Sequence, residues 1–148
     1  MIAVFYILAA LLIYLSYRSF RNGIDYLDYF RHELAKRPGS FTPAATIIAP
    51  CKGVDEGLAE NLAAVLAQDY PKYEVIFVVD DKDDPATAVV EQALSASHQS
   101  SGGMSAYLIF ANKATDSGQK VENLREAVRH ATGEVLVFVD SDVRPSKN

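Results

Sequence analysis

Carboxylates cluster at two points of the 148-residue sequence: Asp80, Asp81, Asp83 and Asp84 in DDKDDP, and Asp140 and Asp142 in DSD. Each cluster directly follows an apolar, β-rich run, EVIFVV for the first and EVLVFV for the second. Acids gathered in this way repel one another and lose solvation, which is costly without a cation. Oxygen donors with no paired histidine and a single cysteine (Cys51) point to Mg²⁺ or Mn²⁺. Such an ion, held by one or two carboxylates, completes its shell with substrate phosphates, so the expected ligand is a nucleotide diphosphate. Lys52, Lys113 and Lys120 are candidate phosphate cations, and Asn123, one helical turn after Lys120, faces either the crevice or solvent. Taken singly, each feature has a plainer reading: a solvated turn with a helix cap, or a surface lysine. The pairing of the two acidic groups on one rim favours a site. His32, His98 and His130 share no spacing, and Cys51 has no histidine placed to activate it.

The elements that would position these groups alternate. Strands are expected at Ala45–Ala49, Glu74–Val79, Ala106–Ala111 and Glu134–Val139, the second and fourth as parallel strands covered on both faces. Helices are expected at Glu56–Gln68, with Leu58, Leu62, Val65 and Leu66 inward, and at Pro85–Ser97, with Val89, Val90, Ala93 and Leu94 inward and Asp84 as N-cap. A third is expected at Gln119–Ala131, with Val121, Leu124 and Val128 inward, Ser117 or Gly118 near its cap and Gly133 ending it. Ser95–Gly103 reads as a flexible surface connection. The order β-α-β-α-β-α-β gives an open, mostly parallel α/β sheet that binds ligands at the carboxyl ends of its strands. Both acidic groups then share one rim, with up to six acids facing one crevice.

The composition is that of a core-forming chain, 49% hydrophobic and 22% charged, with a net charge of −5 that argues against nucleic acid. The charge is unevenly divided. Residues 1–40 hold five basic against three acidic side chains, and residues 41–148 hold nine against sixteen. Ile2–Tyr17 carries no charge and is slightly short for a hydrocarbon core of about 30 Å, a deficit that snorkelling Arg18 and Arg21 can make up. A cleaved signal peptide is the rival reading; the run lacks a basic leader and a small-x-small cleavage site. The expected organisation is a transmembrane anchor at 1–19, an amphipathic helix at 20–36, a linker at 37–43 and the soluble part at 44–148. Phe20, Ile24, Leu27, Phe30 and Leu34 form the apolar stripe of the second segment, which either lies in the membrane interface or packs on the soluble part. The basic flank after the anchor places the soluble part on the cytoplasmic side.

From Thr46 to Arg144 the sequence resembles the inverting family-2 type glycosyltransferases of GT-A fold, and among them the ceramide glucosyltransferase branch. The resemblance rests on KGVD (Lys52–Asp55), Asn61-Leu62, DYPKYEV (Asp69–Val75), Asp81 and Asp84-Pro85 of DDKDDP, KVENL (Lys120–Leu124) and VDSD (Val139–Asp142). It implies the N-terminal, nucleotide-sugar-binding half of a Rossmann-like GT-A domain behind a membrane helix. By the resemblance, the first cluster binds the uridine end of a UDP-sugar: Asp84 matches the first motif aspartate, and Asp80 or Asp81 sits where relatives hold the base. Asp140 matches the second motif aspartate, and Asp140 with Asp142 holds the metal against the diphosphate. Lys52, Lys120 and Asn123 complete the expected donor set. The implied acceptor is a membrane lipid, ceramide-like or hopanoid-like, and the implied sugar is glucose. Inversion needs a general base, which the resemblance locates beyond residue 148 together with a Q/R-x-x-R-W motif. The 148 residues alone are therefore expected not to turn over. The alternatives are a non-catalytic nucleotide-sugar-binding subunit and a phosphoacceptor receiver domain. The latter needs its acidic pair after the first strand, where this chain has Pro50-Cys51.

Overall fold

The computed structural model describes residues 2–36, 39–97 and 104–147, in two compact units, Met1–Ser40 and Phe41–Asn148. The first unit is one uninterrupted helix, α1 (Ile2–Ala35), 34 residues long and with no residue buried. At 1.5 Å per residue it extends roughly 51 Å, and it is long and apolar enough to cross a membrane. Charge first appears at Arg18, midway along it, and beyond that point Arg21–Asp25 and Arg31–Asp28 pair at 3.8 and 3.7 Å. Of the expected linker, Arg37 and Pro38 lie outside the described residues, as do His98 and the rest of 98–103 in the expected surface connection.

The second unit alternates β1 (Ala45–Pro50), α2 (Leu58–Leu66), β2 (Tyr73–Val79), α3 (Pro85–Ser97), β3 (Ser105–Phe110), α4 (Gln119–His130) and β4 (Val135–Phe138). All pairings are parallel and the strand order is β3-β2-β1-β4. β2 is buried along its whole length because both its faces are covered. Val75, Phe77 and Val79 pack on the α2 and α3 side with Leu58, Leu62, Val65 and Val90, whereas Ile76 and Val78 pack on the α4 side with Ile48 and Ala127. A period of two on a strand sends successive side chains to opposite faces, and here each face has a layer to meet.

The sheet also corrects two expectations. β4 has the same apolar composition as β2, yet all four of its residues are exposed, Phe138 at 55%. It is an edge strand paired only with β1, and its flanks lack the helical cover that β2 has. In α4 the inward residues are Asn123 and Ala127, with Leu124 partly buried, while Val121 and Val128 are 47% and 40% exposed. The small Ala127 lets the helix approach the sheet, and the amide of Asn123 is satisfied in place by Gln119 at 2.8 Å.

A buried carboxylate fastens β4 at its beginning. Glu74 Oε1 accepts from Thr46 Oγ1 at 2.6 Å, Thr132 N at 2.7 Å and Thr132 Oγ1 at 2.9 Å. Burial alone would raise the Glu74 pKa, and these hydrogen bonds overcome it, holding the carboxyl below its usual range. Gly133 N completes the latch by donating to Thr46 Oγ1 at 2.9 Å. Gly133 owes its identity to close approach: a Cβ there would lie 2.5 Å from the Thr46 backbone nitrogen.

Candidate functional site

The topology selects a location. From β1 the chain steps outward through β2 to β3, then α4 crosses to the other face and delivers β4 to the free side of β1. The strand order therefore reverses between β1 and β4, and in open α/β sheets ligands bind at the carboxyl end of such a switch point. A polar cleft of about 300 Å³ opens there, lined by Pro50, Cys51, Lys52, Asp55, Lys120, Asn123, Asp140, Ser141 and Asp142. The largest of the described cavities, about 640 Å³, lies between α2 and α3 toward the amino ends of the strands. Five of its fifteen lining residues are alanine, the polar ones include Gln68, Gln92 and Lys147, and none is a carboxylate that could hold a cation.

The acids do share the carboxyl rim, as β2 and β4 run parallel to β1, but they do not all face one crevice. Asp140 and Asp142 line the cleft, whereas Asp83 and Asp84 line a separate hollow at the start of α3. Asp80 lies between, 8% exposed, with Oδ2 held by Lys113 Nζ at 2.9 Å. The same ammonium bonds Asp81 Oδ2 at 3.2 Å. The Lys113 hydrogen bond outweighs burial at Asp80 and, with the charge of Lys52, lowers its pKa. At Asp81 the Asp83 amide and then Lys113 do the same. Lys113, a candidate phosphate cation by sequence, is thus the counter-ion of the first cluster. Asp80 Oδ1 is buried and has no hydrogen-bond partner among the described residues.

Asp84 does work that its sequence position only partly signals. Its Oδ1 caps α3 by accepting from Ala86 N at 2.8 Å and also accepts from Gly53 N at 2.8 Å. Gly53 has φ +64, a left-handed conformation that suits glycine and aims its amide across the rim. The capping aspartate therefore ties the loop after β1 to the start of α3. Beside it, burial and then the Asp84 charge push the Cys51 thiol up to about 12, consistent with a packing role.

On the other flank Lys120 Nζ meets Asp140 Oδ1 at 2.5 Å. Asn123, 4% exposed, lines the cleft and joins Gln119, whose amide also holds Asn112 O at 2.9 Å and Ala114 N at 2.8 Å. Lys52 bridges the two flanks, lining the cleft while its charge acts on Asp80. Sequence reasoning assigned no role to Asn61, whose Nδ2 donates to Ser141 O at 3.1 Å, because its partner is 80 residues away. Among the described residues no three His, Cys, Asp or Glu side chains group as a metal cage. Two carboxylates with oxygen donors beside an open polar cleft nevertheless fit a small hard dication, which takes its remaining ligands from phosphate and water.

A parallel sheet of this order, with its polar cleft at the switch point, resembles the GT-A glycosyltransferase fold. The chain is similar to a mannosyltransferase from Pyrobaculum calidifontis in complex with GDP-Man and Mn²⁺, with a TM-score of 0.54 and 25% identity over 84% of this chain and 37% of that one. The chain belongs to glycosyl transferase family 21, whose family model matches residues 3–148. It is 28% identical over 121 residues to ceramide glucosyltransferase 3 of Caenorhabditis elegans, covering 82% of this chain and 25% of the relative. It is 30% identical over 111 residues to the ceramide glucosyltransferase of Candida albicans, covering 70% and 20% respectively. The chain thus spans a quarter or less of the length of these curated relatives.

Proposed function

We propose that this chain binds a UDP-sugar, in an inverting, metal-dependent hexosyltransferase that glycosylates a membrane lipid. The observation that carries the reading is the cleft at the switch point, where Lys52 and Lys120 stand beside the Asp140–Asp142 pair. Similarity to ceramide glucosyltransferases supports glucose as the sugar and a ceramide-like lipid as the acceptor, with a hopanoid-like lipid as the alternative. Asp80, at the carboxyl end of β2 with Lys113 steadying its carboxylate and Asp81 beside it, marks the end of the rim assigned to the base. Asp84 holds this end of the site together through its backbone bonds.

Asp140 and Asp142 would hold Mg²⁺ or Mn²⁺, which when bound neutralises the departing diphosphate without proton transfer. Lys120, released from Asp140, and Lys52 then face the phosphates and add positive charge where the leaving group develops its own. Gln119, bonded to Asn112 O and Ala114 N, ties the start of α4, and with it Lys120, to the segment after β3, and Asn123 lines the cleft one turn on. The acceptor hydroxyl must lose its proton to a base, which the family resemblance locates beyond residue 148.

We also propose that residues 1–19 are a transmembrane anchor and 20–36 its juxtamembrane continuation, with residues 44–148, after the 37–43 linker, on the cytoplasmic side. Carbonate extraction that strips the protein from membranes would refute the anchor. Calorimetric titration of UDP into the full chain tests the site, with Mn²⁺-dependent binding expected. Equal UDP affinity in Mn²⁺ and in EDTA would overturn the metal-dependent reading.

A further inference from the structure

The metal-binding aspartates proposed above, Asp140 and Asp142, lie just after β4, a strand with little packing among the described residues. It is four residues long, pairs with a single neighbour and is exposed throughout. Metal ligands need placement to within a fraction of an ångström, and among the described residues hydrogen bonds at both ends of the strand supply it. At its beginning stands the Glu74 latch. At its end the chain turns back, Val143 N donating to Asp140 O at 3.1 Å, so that Ser141 and Asp142 occupy the corner of a tight turn. Asn61 Nδ2 reaches this corner from α2 and donates to Ser141 O at 3.1 Å.

We infer that Asn61 is a positioning residue for the divalent cation: it fixes the Asp140–Asp142 turn by its backbone. This deepens the functional reading above and rests on it. Lys120 also holds the turn, but at Asp140 Oδ1, an oxygen the cation itself needs. The Asn61 bond goes to a main-chain carbonyl and leaves both carboxylates free. It can therefore persist when the cation arrives, orienting the two ligands before and after binding. The two anchors come from opposite faces of the sheet, α2 on one and α4 on the other.

The test titrates Mn²⁺ into the full chain in detergent with UDP present, following free Mn²⁺ by electron paramagnetic resonance. Asn61→Leu, similar in volume but lacking the donor, is expected to weaken Mn²⁺ binding about tenfold, the lower end of what outer partners of metal ligands contribute. UDP affinity in EDTA should stay within about twofold and the melting temperature within a few degrees, whereas Asn61→Gln, which keeps an N–H donor, should recover most of the Mn²⁺ affinity. Mn²⁺ affinity in Asn61→Leu within twofold of the unaltered chain overturns the inference. So does a parallel fall in Mn²⁺ affinity, metal-free UDP affinity and melting temperature, the pattern of a general packing defect. If the unaltered chain binds no Mn²⁺ with UDP, the metal assignment to Asp140 and Asp142 fails first and this inference falls with it.

Discussion

Glu74→Ala should destabilise the soluble unit by about 3 kcal/mol. The side chain is 8% exposed, and one of its oxygens takes three hydrogen bonds from Thr46 and Thr132. Bonds to a charged acceptor contribute roughly 1.5–3 kcal/mol each, but three donors sharing one oxygen do not add in full. After truncation the two hydroxyls can turn to other acceptors, whereas the Thr132 amide cannot, so a total near the upper value for one such bond is expected. For a domain of this size that lowers the melting temperature by roughly 12 °C, at about 4 °C per kcal/mol. Glu74→Gln retains a neutral acceptor and should lose roughly half as much. The pH dependence has a definite sign. The folded-state pKa of Glu74 is lowered, so its contribution is present above the unfolded-state value and disappears as pH falls through the folded-state one. The gap between the unaltered chain and Glu74→Gln should therefore close in acid. Calorimetric melts at neutral and acidic pH measure both quantities. A Glu74→Ala loss under about 1 kcal/mol, or a gap that widens in acid, would refute the latch and its role in holding β4.

Lys113→Met should lower stability at neutral pH, because the nearly buried Asp80 loses the ammonium that keeps it ionised. The Asp80 pKa is lowered in the fold, chiefly by that hydrogen bond, so the stabilisation is lost as pH falls through the folded-state value; the deficit of the variant should shrink in acid, read by thermal melts. Lys120→Ala should strengthen Mn²⁺ binding without nucleotide, since Asp140 loses its competitor, and weaken UDP binding several-fold; weakening of both would place Lys120 outside the exchange. Cys51, buried and with its thiol pushed up to about 12, should resist alkylation at pH 8 in the folded chain and react once the chain is unfolded, as mass spectrometry would show.

The parts of this fold that local pattern controls were legible in the sequence. EVIFVV read as a strand covered on both faces and is one; Asp84-Pro85 marked the start of α3, where the aspartate caps the helix. EVLVFV reads the same way but lies at the sheet edge, because apolarity reports what a strand tolerates and says nothing of its neighbours. The inward face of α4 was missed for a related reason. Val121 and Val128 outweigh Asn123 and Ala127 in hydrophobicity, yet close approach selects the small alanine and an asparagine already satisfied by Gln119. Within the candidate site, the two acidic groups were legible because strand ends announce them. Their counter-ions were not: that Lys113 takes Asp80, Lys120 takes Asp140 and Asn61 holds Ser141 depends on contacts spanning 33, 20 and 80 residues. The rim is divided accordingly: Lys113 takes Asp80 and Asp81, the amides of Gly53 and Ala86 take Asp84, and Lys120 takes Asp140.

On the proposed function the rim divides its labour, the base end of the donor at Asp80 and the diphosphate at Asp140 and Asp142. Calorimetric titration of uridine and of UDP into the full chain carrying Asp140→Ala, with Mn²⁺ present, tests it most directly. The account predicts that UDP falls to the affinity of uridine while uridine binding is unchanged. UDP affinity equal to that of the unaltered chain, or uridine binding lost together with it, would contradict the account.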